Sequence, residues 1–269
     1  MKKLSNQQIV VLILAVGFTV LFTANRWKTS TGKPTDKGSV QPGPMGNAVP
    51  TKEVELVEFL SSLFNKTKPP SQIGKTILTS PKDLKTDSLT LAIKWATETN
   101  NGPLLAHLKS QQFEYFKKGN IEEVARELVF VGAGYSENET VRNYLFQQGK
   151  KWIDKGLSKD SNNMSLRNAL IIYQSEFLNQ PMQFLSTLRK SYTIDSNNVE
   201  LNFIHLNLLK KSNQLQKAVK KCEKLVSLQP QNPYWLYETS DLYGQMGDSV
   251  NAKVYLNLAV KTQRQQPKK

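Results

Sequence analysis

From residue 51 onward, apolar side chains recur at three- and four-residue intervals and not in alternation. That spacing lines one face of an α-helix. The segment near 214–228 is the clearest case. Leu215, Ala218, Val219, Cys222, Leu225 and Val226 share one face, while Lys217, Lys220, Lys221 and Lys224 fall outside it. Burying an aliphatic side chain stabilises by about 1.5–3 kcal/mol, so this stripe requires a neighbour. Lys211-Ser212-Asn213 supplies a short turn back to a helix near 199–210, and the pair predicts a helix hairpin. The same plan follows in the next stretch. Pro233 opens a helix bearing Trp235, Leu236, Leu242 and Tyr243; Met246-Gly247-Asp248 turns the chain; Ala252, Tyr255, Leu256 and Ala259 lie on the second helix. Earlier pairs are predicted over 163–194, with a turn at Asn179-Gln180-Pro181, and over 103–133, with a turn at Gly119-Asn120. Single helices are predicted over 139–157, 86–99 and 52–65.

The hairpins repeat. Ala218 and Ala252 are 34 apart in the chain, as are Asn179 and Asn213, Asn213 and Gly247, and Leu209 and Tyr243. The connecting loops keep step: Ile194–Asn198 precedes Leu228–Asn232 by 34, and Asp160–Asn163 is a third copy offset by 35. This interval resembles the tetratricopeptide repeat, a helix–turn–helix unit. The resemblance is strongest over 164–266. Ala218 and Ala252 match the small residue where paired helices cross, and Pro230 matches the proline that ends a repeat. Leu236, Tyr243, Gly247, Leu256 and Ala259 match further signature positions. Phe184, at the small-residue position one copy earlier, and His205-Leu206, where Leu-Gly is usual, depart from it.

The resemblance implies an all-α fold: a right-handed superhelix of antiparallel helix hairpins following an N-terminal transmembrane helix. A degenerate helical region is expected over 51–160 and repeats over 161–269. It also implies a concave groove for a protein or peptide, lined by matching first-helix positions: Tyr173 and Glu176, then Phe203, Asn207 and Lys210, then Tyr234, Tyr237 and Asp241. The paired Asn and basic residues that clamp a terminal carboxylate in some relatives are not assembled here. Stacked hairpins share a core and bind along their surface, so the implied role is a scaffold or adaptor, not a catalyst.

The N-terminal fifty residues read differently. Ile9 to Ala24 is an uncharged apolar run of sixteen residues, flanked by Lys2, Lys3, Arg26, Trp27 and Lys28. As helix it reaches about 24 Å, a little short of a hydrocarbon core of about 30 Å, and Leu4 to Gln8 can extend it. Cleavage after Ala24 would place Phe22 where a small residue is needed; Ala15-Val16-Gly17 lies within the run, and no lipoprotein cysteine follows. The expectation is an uncleaved anchor over 1–28, spanning at 9–25, with a Gly/Pro/Ser/Thr-rich tether over 29–50. The plan of span, tether and repeats also resembles membrane-anchored bacterial tetratricopeptide proteins. That resemblance places the chain in a bacterial inner membrane as a single-pass protein. Lys2 and Lys3 are expected to keep the short N-terminus inside and so turn the repeats to the periplasm, whereas Arg26, Lys28, Lys33 and Lys37, counted as a short flank, argue for the opposite orientation.

Charge and candidate chemistry alter this picture little. The net charge is +14, with 36 basic and 22 acidic residues, and residues 201–269 hold eleven basic against four acidic. This basic surface admits a competing reading, binding of anionic lipid or nucleic acid, although no nucleic-acid motif accompanies it. The layout is also similar to the repeat domains of c-type cytochrome maturation factors, with no residue that singles out that role. No cofactor is implied. Ser71 to Thr76 ends in Gly-Lys-Thr but lacks the upstream glycine of a phosphate-binding loop. Gly132-Ala133-Gly134 reads as a helix stop. Histidines 107 and 205 are expected as packed interior groups, Cys222 as a small buried hydrophobe, and Glu122, Glu123 and Asp248 as residues favouring helix starts.

Overall fold

The computed structural model describes residues 53–65, 69–78 and 85–265. The expected spanning helix 9–25 and the tether 29–50 lie outside them, and no helix among the described residues is long and apolar enough to cross a membrane. Every regular element among the described residues is helical. The chain divides into two compact units. One runs to Trp152 and includes Glu176–Gln180; the other comprises Ile153–Ser175 and the residues from Pro181 onward.

The first unit contains α1 (Leu56–Leu63), α2 (Ser71–Leu78), α3 (Thr86–Glu98), α4 (Gly102–Phe116), α5 (Ile121–Gly134) and most of α6 (Glu139–Leu157). Its turns follow local chemistry. The Asn101 side chain accepts from the Leu104 amide and so caps α4. Lys117, at a φ of 55°, takes the left-handed conformation that ends it. Asn120 caps α5 by accepting from the Glu123 amide at 2.7 Å, with Glu122 and Glu123 in the first turn as expected. Gly134 closes α5. The core gathers Phe59, Leu89, Leu104, Leu128, Phe146 and Trp152, all at most 1% exposed.

Periodicity does not predict helix α2. Its eight residues show only Ile73 and Ile77 as a stripe, too few to read from spacing. The Gly-Lys-Thr triplet lies inside it. Thr76 is buried and its hydroxyl donates to the Gln72 carbonyl at 3.0 Å. Backbone N–H groups committed within a helix cannot cradle a phosphate, which disposes of that motif on geometry.

At Gly149 of α6 the approach to α5 is close. A Cβ there would lie 2.6 Å from Cγ2 of Val129 and 3.4 Å from its backbone nitrogen. Replacing glycine by alanine in an open helix stabilises by roughly 1 kcal/mol. Here the sign reverses: Gly149→Ala is expected to destabilise by about 1–3 kcal/mol through overpacking, measured by urea unfolding. A gain in stability would show that the two helices separate freely.

The second unit holds α7 (Met164–Ile172), which continues as a π-helical turn from Tyr173, then α8 (Pro181–Ile194), α9 (Val199–Lys211), α10 (Leu215–Leu228), α11 (Pro233–Gln245) and α12 (Ser249–Arg264). Pro181 and Pro233 begin helices as their fixed φ favours. The repeat register is physical. Helices α8, α10 and α12 begin at 181, 215 and 249, and α9 and α11 at 199 and 233. The turns before α8, α10 and α12 each hold one left-handed residue: Asn179 at φ 50°, Asn213 at 55° and Gly247 at 80°. Asparagine and glycine are the residues that tolerate this conformation. First helices share an asparagine cap as well: Asn163, Asn198 and Asn232 accept from the amides of Leu166, Leu201 and Tyr234. Asp248 caps α12 in the same way.

Hairpins α7–α8, α9–α10 and α11–α12 pack internally, and α10 packs on α11. Ala218 is fully buried at the helix crossing, in a core cluster with Leu206, Leu209, Cys222, Leu225, Trp235 and Leu242. Two expectations need amendment. Leu256 is 44% exposed, although its equivalent one repeat earlier, Cys222, is fully buried. Cys222 is covered by the following hairpin, its Sγ lying 3.5 Å from the Trp235 carbonyl, and no described hairpin follows α12. His205 is half-buried, not interior, and its Nδ1 lies 3.0 Å from the Tyr192 hydroxyl.

Candidate partner-binding face

Seven of the eight groove candidates belong to the second unit; Glu176 belongs to the first, where its carbonyl accepts from Arg142. Tyr173 is only 8% exposed, with burial and then Asp154 raising its phenol pKa, so it is a core group. The remaining six lie on α9 and α11, and the helical repeat explains their company. Phe203, Asn207 and Lys210 fall at i, i+4 and i+7 of α9. Tyr237 and Asp241 are the equivalents of Phe203 and Asn207 on α11, one repeat later.

These six divide by environment. Phe203 packs at a tilt toward Trp235, ring centroids 5.5 Å apart, and is partly exposed. Tyr234 meets the same indole in a T-shaped contact at 4.7 Å. Burial, then the Glu238 carboxylate, pushes the Tyr234 phenol far above its ordinary pKa. Tyr234 therefore serves mainly as a wall. Lys210 forms an ion pair with Glu238 that joins α9 to α11 across the face. Sequence reasoning misses Glu238. It directly follows Tyr237 and is not a family groove position, and its partner lies on the preceding first helix, so spacing gives no signal. Tyr237 donates to Gln263 Oε1 at 2.6 Å, and Asp241 accepts from Gln245 at 2.6 Å, leaving both partly or fully exposed.

The chemistry of this face is therefore an aromatic and amide surface crossed by one internal ion pair. Charge is segregated by helix. First helices α9 and α11 hold Glu200, Glu238 and Asp241 against Lys210 and Lys211; second helices α10 and α12 hold seven basic residues against Glu223 alone. The aromatic face is thus slightly acidic and the opposite helices strongly basic.

Among the described residues, the concavities of the first unit include two of note. One of about 400 Å³ is bordered by Phe64, Trp95 and Tyr135 with Asn101 and Asn138. Both asparagines are engaged as helix caps. The other, of about 560 Å³, holds Lys109, Arg126 and Glu127. There Lys109 pairs with Glu127 at 2.8 Å and Arg126 lies over Phe130. The two caps of the first and the Lys109–Glu127 pair of the second thus serve the helices themselves.

No protein-family model matches the chain, and no curated protein matches it. Among solved structures, the MamA RS-1 ArsTM double mutant is 17% identical, covering 62% of this chain and 98% of its own, with a TM-score of 0.42. MamA MSR-1 is 14% identical over 65% of this chain and 95% of its own, at 0.40. YrrB, described as a TPR protein with an unusual peptide-binding site, is 16% identical over 68% of this chain and 88% of its own, at 0.38. At these scores the likeness carries no argument of its own. The hairpin register, the left-handed turn residues and the buried crossing alanine carry it instead: the second unit is built of repeats of the tetratricopeptide type.

Proposed function

We propose that this protein is a membrane-tethered adaptor that receives a protein or peptide on the α9–α11 face and serves in the assembly of an envelope or membrane complex. The uncharged run Ile9 to Ala24 and the tether after it support the anchoring. In this reading the anchor spans a bacterial inner membrane once and the repeats lie in the periplasm. The observation that carries the adaptor reading is the half-exposed aromatic and amide surface of Phe203, Asn207 and Tyr237. It borders a core already satisfied by Trp235. Partly exposed aromatics anchor apolar side chains at low entropic cost, and an amide bonds an extended backbone. Exposed Asp241 adds a preference for a basic residue in the ligand.

The test is site-specific photocrosslinking in cells with the full chain. A crosslinker at Asn207 should capture a discrete neighbour, and Phe203→Ala with Tyr237→Ala should reduce capture at least about tenfold, the loss of two aromatic anchors. Undiminished capture in the double variant, or none from Asn207, would remove this face from the function. Protease accessibility of the repeats in spheroplasts checks the topology: protection in intact spheroplasts contradicts a periplasmic placement.

A further inference from the structure

Helices α10 and α12 are equivalent second helices, tied by the Tyr255 hydroxyl donating to Glu223 Oε1 at 3.1 Å. In α10 the outward positions are Gln216, Lys220 and Lys224, all exposed and polar. The corresponding positions of α12, one repeat on, are Val250, Val254 and Leu258, exposed by 72%, 49% and 44%. Three aliphatic side chains at four-residue intervals thus form a stripe on the outside of a helix, where the register elsewhere places polar groups.

This stripe is not the face on which another hairpin would stack. In α10 the following hairpin covers Cys222 and Leu225, whose equivalents in α12 are Leu256 and Ala259. A further repeat would bury Leu256 and leave Val250, Val254 and Leu258 in the open. Something other than repeat stacking must account for them.

Charge selects the occupant. Lys253, Lys261 and Arg264 share α12 with the stripe, and Lys217, Lys220 and Lys224 are carried by neighbouring α10. The one carboxylate on either helix, Glu223, is half-buried and accepts from the hydroxyls of Tyr243 and Tyr255, so it does not offset the cations outside. Apart from Asp248, engaged as the cap at the start of α12, the charges bordering this aliphatic stripe are basic, which fits a surface that is anionic at its boundary and hydrocarbon beneath. The long basic side chains reach headgroups while the aliphatic groups enter the acyl boundary.

We propose that α12, with the lysine face of α10, docks on an anionic lipid bilayer with the helix lying in the membrane plane. This contact is separate from the anchor and from the α9–α11 face. It would hold the second unit flat against the bilayer, with the basic second helices toward the lipid.

The full chain suits the test because its native thiol is fully buried, so an introduced cysteine alone takes a label. Val254→Cys and, as a reporter on a first helix, Asp241→Cys carry an environment-sensitive fluorophore. Each is reconstituted into vesicles of phosphatidylglycerol or of phosphatidylcholine containing an acyl-chain quencher. The expected result is quenching at 254 on phosphatidylglycerol, reversed by salt, with none at 241 and none at either position on phosphatidylcholine. Each of Lys217→Gln, Lys220→Gln and Lys253→Gln should lower the docked-to-free ratio about fivefold. Absent quenching at 254 on phosphatidylglycerol, or equal quenching on phosphatidylcholine, overturns the proposal. So does protection at 254 that rises with protein concentration without anionic lipid, since a second copy would then cover the stripe. Retention on phosphatidylcholine through an alkaline wash reports the anchor independently, so the two membrane readings fail separately.

Discussion

Trp235→Ala should lower the stability of the second unit by about 3–5 kcal/mol, the cost of truncating a large, fully buried aromatic. The indole is 1% exposed and sits among Leu206, Leu209, Cys222, Leu225 and Leu242, contributed by three consecutive helices. Its Nε1 donates to Gln229 Oε1 at 2.8 Å, in the loop that joins the two hairpins. Truncation therefore opens a cavity at the seam between repeats and removes the shorter of the two hydrogen bonds to Gln229 Oε1, leaving Asn232 Nδ2 as its donor at 3.2 Å. Stacked hairpins derive stability from such seams, because one hairpin cannot bury its own apolar face. Cys222 provides a second readout. Burial pushes its thiol up to about 12, which keeps it unreactive. With the seam weakened, thiol labelling in native buffer should accelerate by roughly two orders of magnitude or more. Unchanged labelling with an unchanged urea midpoint would mean that the indole is not the keystone of this seam.

The second large effect is expected of pH. His107 is 4% exposed, against Phe59 and Tyr144, with its Nδ1 3.0 Å from the Tyr144 hydroxyl. Its Nε2 has no hydrogen-bond partner among the described residues. Burial lowers its pKa from 6.5 to about 4. The folded state thus resists a proton that the unfolded chain accepts. Between pH 6.5 and 4 the unfolded state binds more protons, so stability falls as pH drops through this window and is full above it. The loss amounts to about 2 kcal/mol by pH 5 and about 3 kcal/mol when protonation is complete. His205, lowered in the same direction by burial and by Lys221 and Lys217, adds a smaller effect in the same window because it is partly solvated. Urea midpoints at pH 8 and pH 5 measure the sum, and His107→Leu should remove most of the difference. A variant as acid-sensitive as the parent would assign the effect elsewhere.

Trp235 and Cys222 also mark what spacing can and cannot reveal. Both lie on apolar stripes, and a stripe of helical period must be covered, so both were legible as interior positions. The repeat interval was legible for the same reason: each hairpin meets the same packing problem and solves it with similar small, asparagine and turn residues. By contrast α2 was too short to show a period, and Gly149 looked like any helix glycine until Val129 stood beside it.

Of the predicted face, sequence placed Phe203 and Tyr237 at matching positions of successive first helices, with Asn207 one turn after Phe203. It could not tell that Tyr173 and most of Tyr234 turn inward, nor that Glu238 would meet Lys210. Those outcomes depend on how far each helix is rotated against the next, and this rotation is fixed by side chains distant in the chain. Leu256 and the Val250, Val254 and Leu258 stripe show the same limit from the other side. Apolar spacing states that a residue requires cover, whereas only the three-dimensional arrangement shows whether cover is present. The sequence by itself therefore determined the helices other than α2, with the pairing and period of the repeats, all set by contacts within one repeat. Tertiary structure alone decided which apolar and charged groups remain open to a partner, because exposure is a property of what the neighbouring helices leave uncovered.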